Sequence, residues 1–218
     1  MRLTYLGHSS FLVETADGTR VIFDPYRHSS FDGAVKYGPI TQPADVVIVS
    51  HAHDDHDAAD TIPGHPKVLI HPASEKVGSV QITGIEVAHD DAGGKKRGKN
   101  TITILDDGDI RLVHAGDLGH TLDAATVDAI GGVDVLLVPV GGFFTIDHKE
   151  AAAVVEQLAP RIVVPMHFKT DKIDFPIAPV EPFLATQQTV EREEGPTLEV
   201  TKATLPENRV TILLQHAL

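Results

Sequence analysis

Asp45-Val46-Val47-Ile48-Val49-Ser50-His51-Ala52-His53-Asp54-Asp55-His56 is the stretch on which the fold turns. Its first half is a run of β-branched apolar residues, the pattern of a strand buried on both faces. Its second half crowds three imidazoles and the Asp55 carboxylate directly behind that strand. Sheets with helices on their faces build their sites at such C-terminal strand ends. Neutral imidazole together with carboxylate suits Zn, Mn, Fe or Ni, and the absence of thiolate argues against a purely structural zinc site. A solvated polar loop is the plain alternative, but it gives no reason for so many ionisable groups at this spacing.

The rest of the chain is read outward from that cluster. At 218 residues it is taken as one domain, 1–218, and with 42% hydrophobic residues it is globular rather than disordered. No apolar run approaches the length of a membrane span, and Met1-Arg2-Leu3-Thr4-Tyr5-Leu6-Gly7 reads as a first strand rather than a leader. The expected location is the cytoplasm. Cysteine is absent, which excludes disulfides, thiolate ligands and a thiol nucleophile, whereas histidine occurs 13 times. The formal charge of -13 opposes binding to nucleic acid or to anionic membranes.

Short strands are expected at Leu3–Leu6, Phe11–Glu14 and Arg20–Phe23, the last two joined by an Asp17-Gly18 turn. Tyr26–Thr41 is polar and punctuated by Gly and Pro, so it reads as a loop. Further strands are expected at Lys67–Ile70, Gln81–Ala88, Asn100–Leu105, Asp109–His114, Asp134–Val138, Arg161–Pro165 and Arg209–Leu214. Helices are expected at Asp123–Ile130 and His148–Leu158, with a short one starting at Asp57. Hairpins plus strand–helix units fit a mixed-sheet α/β sandwich. Pro176, Pro179 and Pro182 break the periodicity of 171–205, which is assigned no element and is a candidate for the pocket rim.

Three of the expected strands run into a potential ligand: His89 after Val87-Ala88, Asp117 after Ala115-Gly116, and His167 after Pro165-Met166. The order His-x-His-x-Asp-His, then His, then Gly-Asp, then Pro-Met-His resembles the metallo-β-lactamase superfamily. Leu6-Gly7-His8-Ser9-Ser10-Phe11 followed by Phe23-Asp24-Pro25 narrows the likeness to small bacterial metal-dependent hydrolases that include the L-ascorbate-6-phosphate lactonases. The resemblance spans nearly the whole chain. It is specific for fold and metal binding and poorly specific for substrate.

The resemblance implies an αββα four-layer sandwich of two mixed β-sheets flanked by helices. It implies two divalent metals, Zn first, with Mn, Fe or Ni compatible. His51, His53 and His89 would hold one, Asp55, His56 and His167 the other, and Asp117 would bridge them. A metal lowers the pKa of the water it holds toward neutrality and supplies hydroxide at physiological pH, with Asp55 or Asp117 orienting it. His8 and Asp24 are read as contacts to substrate or to a ligand imidazole, against plain turn roles for both. His120 is read as pocket-lining, because it follows Asp117 closely; His114, inside an apolar strand, is read as a satisfied core histidine. Leu118 stands where the family commonly has a small hydroxyl residue, and it either makes the pocket more apolar or packs inward. Lys95, Lys96 and Arg97 form the one basic run, and either hold an anionic group of the substrate or lie on a solvated hairpin loop. Asp147 or Thr145 is expected to cap the helix that follows.

The function expected is hydrolysis of a small-molecule ester, lactone or phosphodiester, without a nucleic-acid or membrane partner. Related proteins are often oligomers, so a homo-oligomer is compatible. The alternative is a non-catalytic metal- or ligand-binding protein on the same fold. Retention of every ligand position argues for the enzyme.

Overall fold

The computed structural model describes residues 1–218. The chain begins with the antiparallel strands β1 (Arg2–Gly7), β2 (Ser10–Glu14) and β3 (Arg20–Phe23). A long loop carrying one irregular turn, α1 (Ser30–Gly33), leads to β4 (Val46–Val49) and β5 (Lys67–Ile70), which pair in parallel with β3 and with each other. The chain then crosses to a second sheet with β6 (Ser74–Val77), β7 (Val80–Ala88), β8 (Lys99–Asp106) and β9 (Arg111–His114), all antiparallel. Helix α2 (Ala124–Ile130), β10 (Val135–Pro139), α3 (His148–Leu158) and β11 (Ile162–Met166) follow as strand–helix units, with β9, β10 and β11 parallel. The last segment holds α4 (Glu181–Leu184), β12 (Val190–Arg192), β13 (Thr197–Glu199) and β14 (Val210–Leu213).

Six strands form one sheet in the order β13-β1-β2-β3-β4-β5, and eight form the other in the order β12-β14-β11-β10-β9-β8-β7-β6. The period of two along each strand explains how they pack. Tyr5, Phe11, Val13, Val21, Phe23, Val46 and Ile48 join the main core, while the alternating Leu6, Leu12, Ile22, Val47 and Val49 turn outward into a second cluster. At the centre of the six-stranded sheet both faces are therefore buried, which is why β4 is apolar at every position, while the edge strand β5 leaves Val68 and Ile70 exposed. On the larger sheet the outer layer is helical. Helix α3 buries Ala151, Val154, Val155 and Leu158, one stripe at helical spacing. On the smaller sheet the outer layer is irregular chain: Tyr26, Val35, Tyr37, Ile40, Ile173 and Ile177 cover it. The four-layer sandwich is present, with few helices, and one outer layer is loop.

Local chemistry sets the helix ends. Asp147 accepts hydrogen bonds from the Lys149 and Glu150 amides, and the Glu150 carboxylate accepts from the Asp147 amide, a capping box. This is the capping role expected of Asp147. Asp123 likewise accepts from the Thr126 amide at the start of α2.

The difference from expectation lies in the 171–205 region and in β6. These short strands, β6, β12 and β13, sit at sheet edges and carry mixed polar residues, so they show no apolar alternation. No helix is long and apolar enough to cross a membrane.

Candidate metal centre

Strand direction places the site. β1 and β3 both run antiparallel to β2, and β4 runs parallel to β3, so β1, β3 and β4 point the same way. In the larger sheet β7, β9, β10 and β11 share one direction by the same reasoning. His8, Asp24 and the His51–His56 turn leave the ends of β1, β3 and β4; His89, Asp117 and His167 leave the ends of β7, β9 and β11. All of them meet at one edge between the sheets.

Asp117 lies at the centre. Its Oδ2 is 3.8 Å from His51 Nε2, 3.3 Å from His89 Nε2 and 3.4 Å from His167 Nε2, and its Oδ1 is 3.3 Å from His56 Nε2. Around it, His51, His53 and His89 form one group of side chains close enough to share an ion, and His8, Asp55, His56 and His167 form another. His53 is the exposed member of the first group and lines the pocket. The fit to a metal is tested by the polar atoms left over. The Nε2 atoms of His51, His56 and His167, and Oδ1 of Asp117, are buried with no hydrogen-bond partner. Buried polar groups are rarely left so, and a cation at their centre is what this donor set suits. The residues present fit the group.

The outer contacts of two rings of the cluster are fixed by one carboxylate. His56 Nδ1–H donates to Asp24 Oδ2 at 2.9 Å, and His51 Nδ1–H donates to Ser50 Oγ at 2.9 Å. The Ser50 hydroxyl donates in turn to Asp24 Oδ2 at 2.6 Å, and the Ser50 amide donates to Oδ1 at 2.8 Å. With Nδ1 engaged outward, Nε2 faces the centre as an acceptor. Asp24 holds a left-handed φ of 42° to do this, and His8 and His167 adopt similar values, 55° and 49°. Such strain in residues with a Cβ collects at functional sites. His8 Nε2–H donates to Asp55 Oδ2 at 3.1 Å, so His8 contacts a carboxylate of the cluster.

The charge balance is acute. Burial lowers His8 to about 4 and His51 to about 3. Burial also opposes a charged His56, but Asp117 and Asp55 outweigh it and hold that imidazole well above its ordinary value. Burial would raise Asp117, yet His167 and His56 keep it well below the carboxylate range.

The other expected contacts divide. His120 is not brought to the pocket: its Nε2 accepts from the Ala88 amide and its Nδ1–H donates to the Thr121 carbonyl, so it ties down the end of β7. Leu118 packs inward, fully buried. Of the basic run, Arg97 alone lines the cavity; Lys96 pairs with Asp91 and Lys95 is exposed away from it. His114 is a satisfied core histidine, stacked on Phe23.

Sequence reasoning missed Ser50, Asn100 and Asp90. Asn100 clamps the turn before Asp117, donating to the Ala115 carbonyl and accepting from the Asp117 amide. Asp90 accepts from the amides of Ala92, Gly94, Lys96 and Arg97, which shapes the basic loop. Its position beside His89, ahead of a glycine-rich loop, was the available signal. Gly116 and Gly119 mark close approaches: a Cβ would meet Asn100 Oδ1 at 2.3 Å and the Asp90 amide nitrogen at 2.1 Å, respectively.

Above these groups opens a cavity of about 260 Å³, lined by His53, Asp55, His89, Asp117, His167, Arg97 and three phenylalanines, Phe31, Phe144 and Phe175.

Two packed mixed sheets with an imidazole–carboxylate cluster at their common edge define the class, the metallo-β-lactamase fold; residues 2–167 match the family model described as "Beta-lactamase superfamily domain". Similar chains include metal-dependent hydrolases of the UPF0173 group from Opitutus terrae, 32% identical over 78% of this chain and 86% of the relative, and from Carboxydothermus hydrogenoformans, 30% identical over 78% and 85%. A crystal structure from Thermotoga maritima, described as a candidate Zn-dependent hydrolase of the metallo-β-lactamase superfamily, superposes with a TM-score of 0.80. It is 35% identical, with 98% of this chain and 99% of that one covered. The chain belongs to the UPF0173 metal-dependent hydrolase family of this superfamily.

Proposed function

We propose that this chain hydrolyses a small-molecule ester, lactone or phosphodiester with divalent metal held by two donor sets. His51, His53 and His89 form one, Asp55, His56 and His167 the other, and Asp117 serves both. One observation carries the reading: the Asp117 carboxylate lies between 3.3 and 3.8 Å from four imidazole Nε2 atoms, and three of those atoms have no hydrogen-bond partner. A divalent metal held there supplies Lewis acidity and a water of near-neutral pKa. Nitrogen-rich ligation favours Zn, while the carboxylates also suit Mn, Fe or Ni.

The chain's own residues do the positioning. Asp24, directly and through Ser50, fixes the rings of His56 and His51. His8 holds the Asp55 carboxylate through its Nε2–H. No side-chain nucleophile is needed, which suits a chain without cysteine. The 260 Å³ cavity is the size of a small molecule, and the charge of -13 disfavours nucleic acid. Arg97 at the cavity wall favours a substrate with negative charge. A lactone is the first class to try, because the Leu6–Phe11 and Phe23–Pro25 motifs resemble the lactonase branch.

Elemental analysis of the purified protein tests this, with His53→Ala and Asp117→Ala alongside and turnover measured on lactones and phosphodiesters. The expectation is about two metal equivalents in the wild type, fewer in both variants, and a loss of turnover of at least about a thousandfold in Asp117→Ala with its circular dichroism unchanged. Wild-type turnover by Asp117→Ala would sink the assignment. Bound metal without any turnover would favour the non-catalytic alternative.

A further inference from the structure

The cavity has a polar floor and an aromatic wall, and the metal ligands account for the floor alone. Four segments far apart in sequence supply the wall: Phe31, Arg97, Phe144 and Phe175. The rings touch edge to face, Phe31 on Phe175 at 5.3 Å between centroids and Phe144 on Phe175 at 5.7 Å. None is fully buried, and Phe31 is 48% exposed. A chain with this much apolar core has room for phenyl groups inside; rings kept half in water around a cavity mark a binding surface.

Backbone strain says the same thing independently. Phe31 has a φ of 51°, and Ser29 and Asp32 beside it have 64° and 54°. Phe143, next to Phe144, has a φ of 64° and is 64% exposed. A bulky residue adopts this region only when its surroundings force it. Here they do. The Phe31 turn is tied to the Phe175 segment by the Val35–Ile173 bridge and by bonds from the Asp174 amide to Ala34 and from the Lys36 amide to Lys172. Arg97 Nη2 donates to the Phe143 carbonyl at 2.9 Å, and its guanidinium lies 5.5 Å from the Phe144 ring centroid. Arg97 forms no salt bridge, although the protein is strongly acidic. Its cation is held in place by a carbonyl and a ring, with no carboxylate to neutralise it.

We propose that Phe31, Phe144, Phe175 and Arg97 are the specificity-determining residues of the site, and that they select a small substrate carrying an aromatic ring beside an anionic or carbonyl oxygen. The ring packs into the edge-to-face chain of phenyl groups, and the oxygen pairs with Arg97. The cavity, about 260 Å³ and open on one side, has room for a compact aromatic group against its wall. This deepens the hydrolase reading and rests on it.

The test uses product-like anions, so that it reads binding rather than turnover. Phenylacetate and acetate are titrated calorimetrically into the purified protein, with metal content measured on the same sample. Phenylacetate is expected to bind about tenfold or more tighter than acetate; Phe144→Ala and Phe175→Ala are each expected to reduce that ratio to about threefold or less. Phe31→Ala, the most exposed of the three positions, should do the same and is the least exposed to a folding failure. Arg97→Gln should weaken both anions and keep their ratio. Equal binding of the two anions by the wild type, or a ratio unchanged in all three phenylalanine variants, would overturn the proposal. The two readings fail separately. A metal-loaded, active protein without aryl preference keeps the hydrolase and loses the wall; a metal-free, inactive protein that still prefers phenylacetate does the reverse.

Discussion

Asp24 accepts hydrogen bonds from the His56 ring, from the Ser50 hydroxyl and from the Ser50 amide, and so a single buried carboxylate orients two imidazoles of the candidate metal centre. Burial would raise its pKa, but the His56 hydrogen bond and the neighbouring imidazoles keep it below the ordinary carboxylate value. His114 shows the opposite design, a histidine kept neutral. Its Nε2–H donates to the Ser9 carbonyl at 2.8 Å and its Nδ1 accepts from the Gly116 amide at 3.0 Å, so a second proton has no place to sit. Burial lowers its pKa in the folded protein. The unfolded chain, with a histidine pKa of about 6.5, therefore takes up the proton first as the pH drops. The stability His114 contributes is complete above that pH and is lost as the pH falls through 6.5 toward the lower folded value. We expect His114→Gln to lie about 2 kcal/mol below wild type near pH 7.5, because one buried amide loses its acceptor and a ring stack is lost. The gap should narrow between pH 7 and pH 5. Urea midpoints across that range check this, and a constant gap would remove His114 from the acid response.

At the scale of elements, the strands read from the sequence are those with an apolar period, and the residues of the candidate metal centre follow the ends of such strands. β4, apolar at every position, ends just before His51, and β11, buried throughout, ends just before His167. Edge strands β6, β12 and β13 were not legible, since they are only three or four residues long and mostly polar, whereas the edge strand β5 carries the apolar Val68-Leu69-Ile70 and was. The loop from Asp90 to Lys99 was legible as glycine-rich and basic, but not as an ordered structure. Its order comes from the Asp90 carboxylate, with Ala92 and Gly94 amides on Oδ1 and Lys96 and Arg97 amides on Oδ2. Burial acts against that charge, and the four donors hold it well below the carboxylate range. Asp90→Asn replaces one acceptor oxygen by a donor and strips the Lys96 and Arg97 amides or the other pair. The expected result is amide hydrogen exchange about tenfold to a hundredfold faster at Gly94–Arg97, with little change in the core strands. Unchanged protection in the loop would show that the glycine-rich turn holds itself.

Across the whole molecule, the two sheets press buried imidazoles and carboxylates together at one edge, where several of their polar atoms have no hydrogen-bond partner within the protein. Metal that binds the folded chain alone stabilises it by RT ln(1 + [M]/Kd), about 2.7 kcal/mol at a hundred times Kd, which for a chain of this size is a shift of roughly 5–10 °C. Chelation is expected to lower the thermal midpoint by that amount and readdition of Zn to restore it; an unchanged midpoint would mean that the cluster holds no ion in the folded protein. By itself the sequence determined the superfamily, the buried strands and the His/Asp cluster that could hold a metal, because each is carried by local pattern: a residue type, a period of two, a strand end. The tertiary structure alone decided which second-rank residues reach the cavity. It brought Arg97 to the wall and left Lys95, Lys96 and His120 away from it, and it joined Phe31, Phe144 and Phe175 from three distant segments. Those contacts depend on how loops are tied across the sandwich by Val35–Ile173, Asp90 and the Arg97–Phe143 bond, and no local pattern along the chain encodes a contact between segments that meet only after folding.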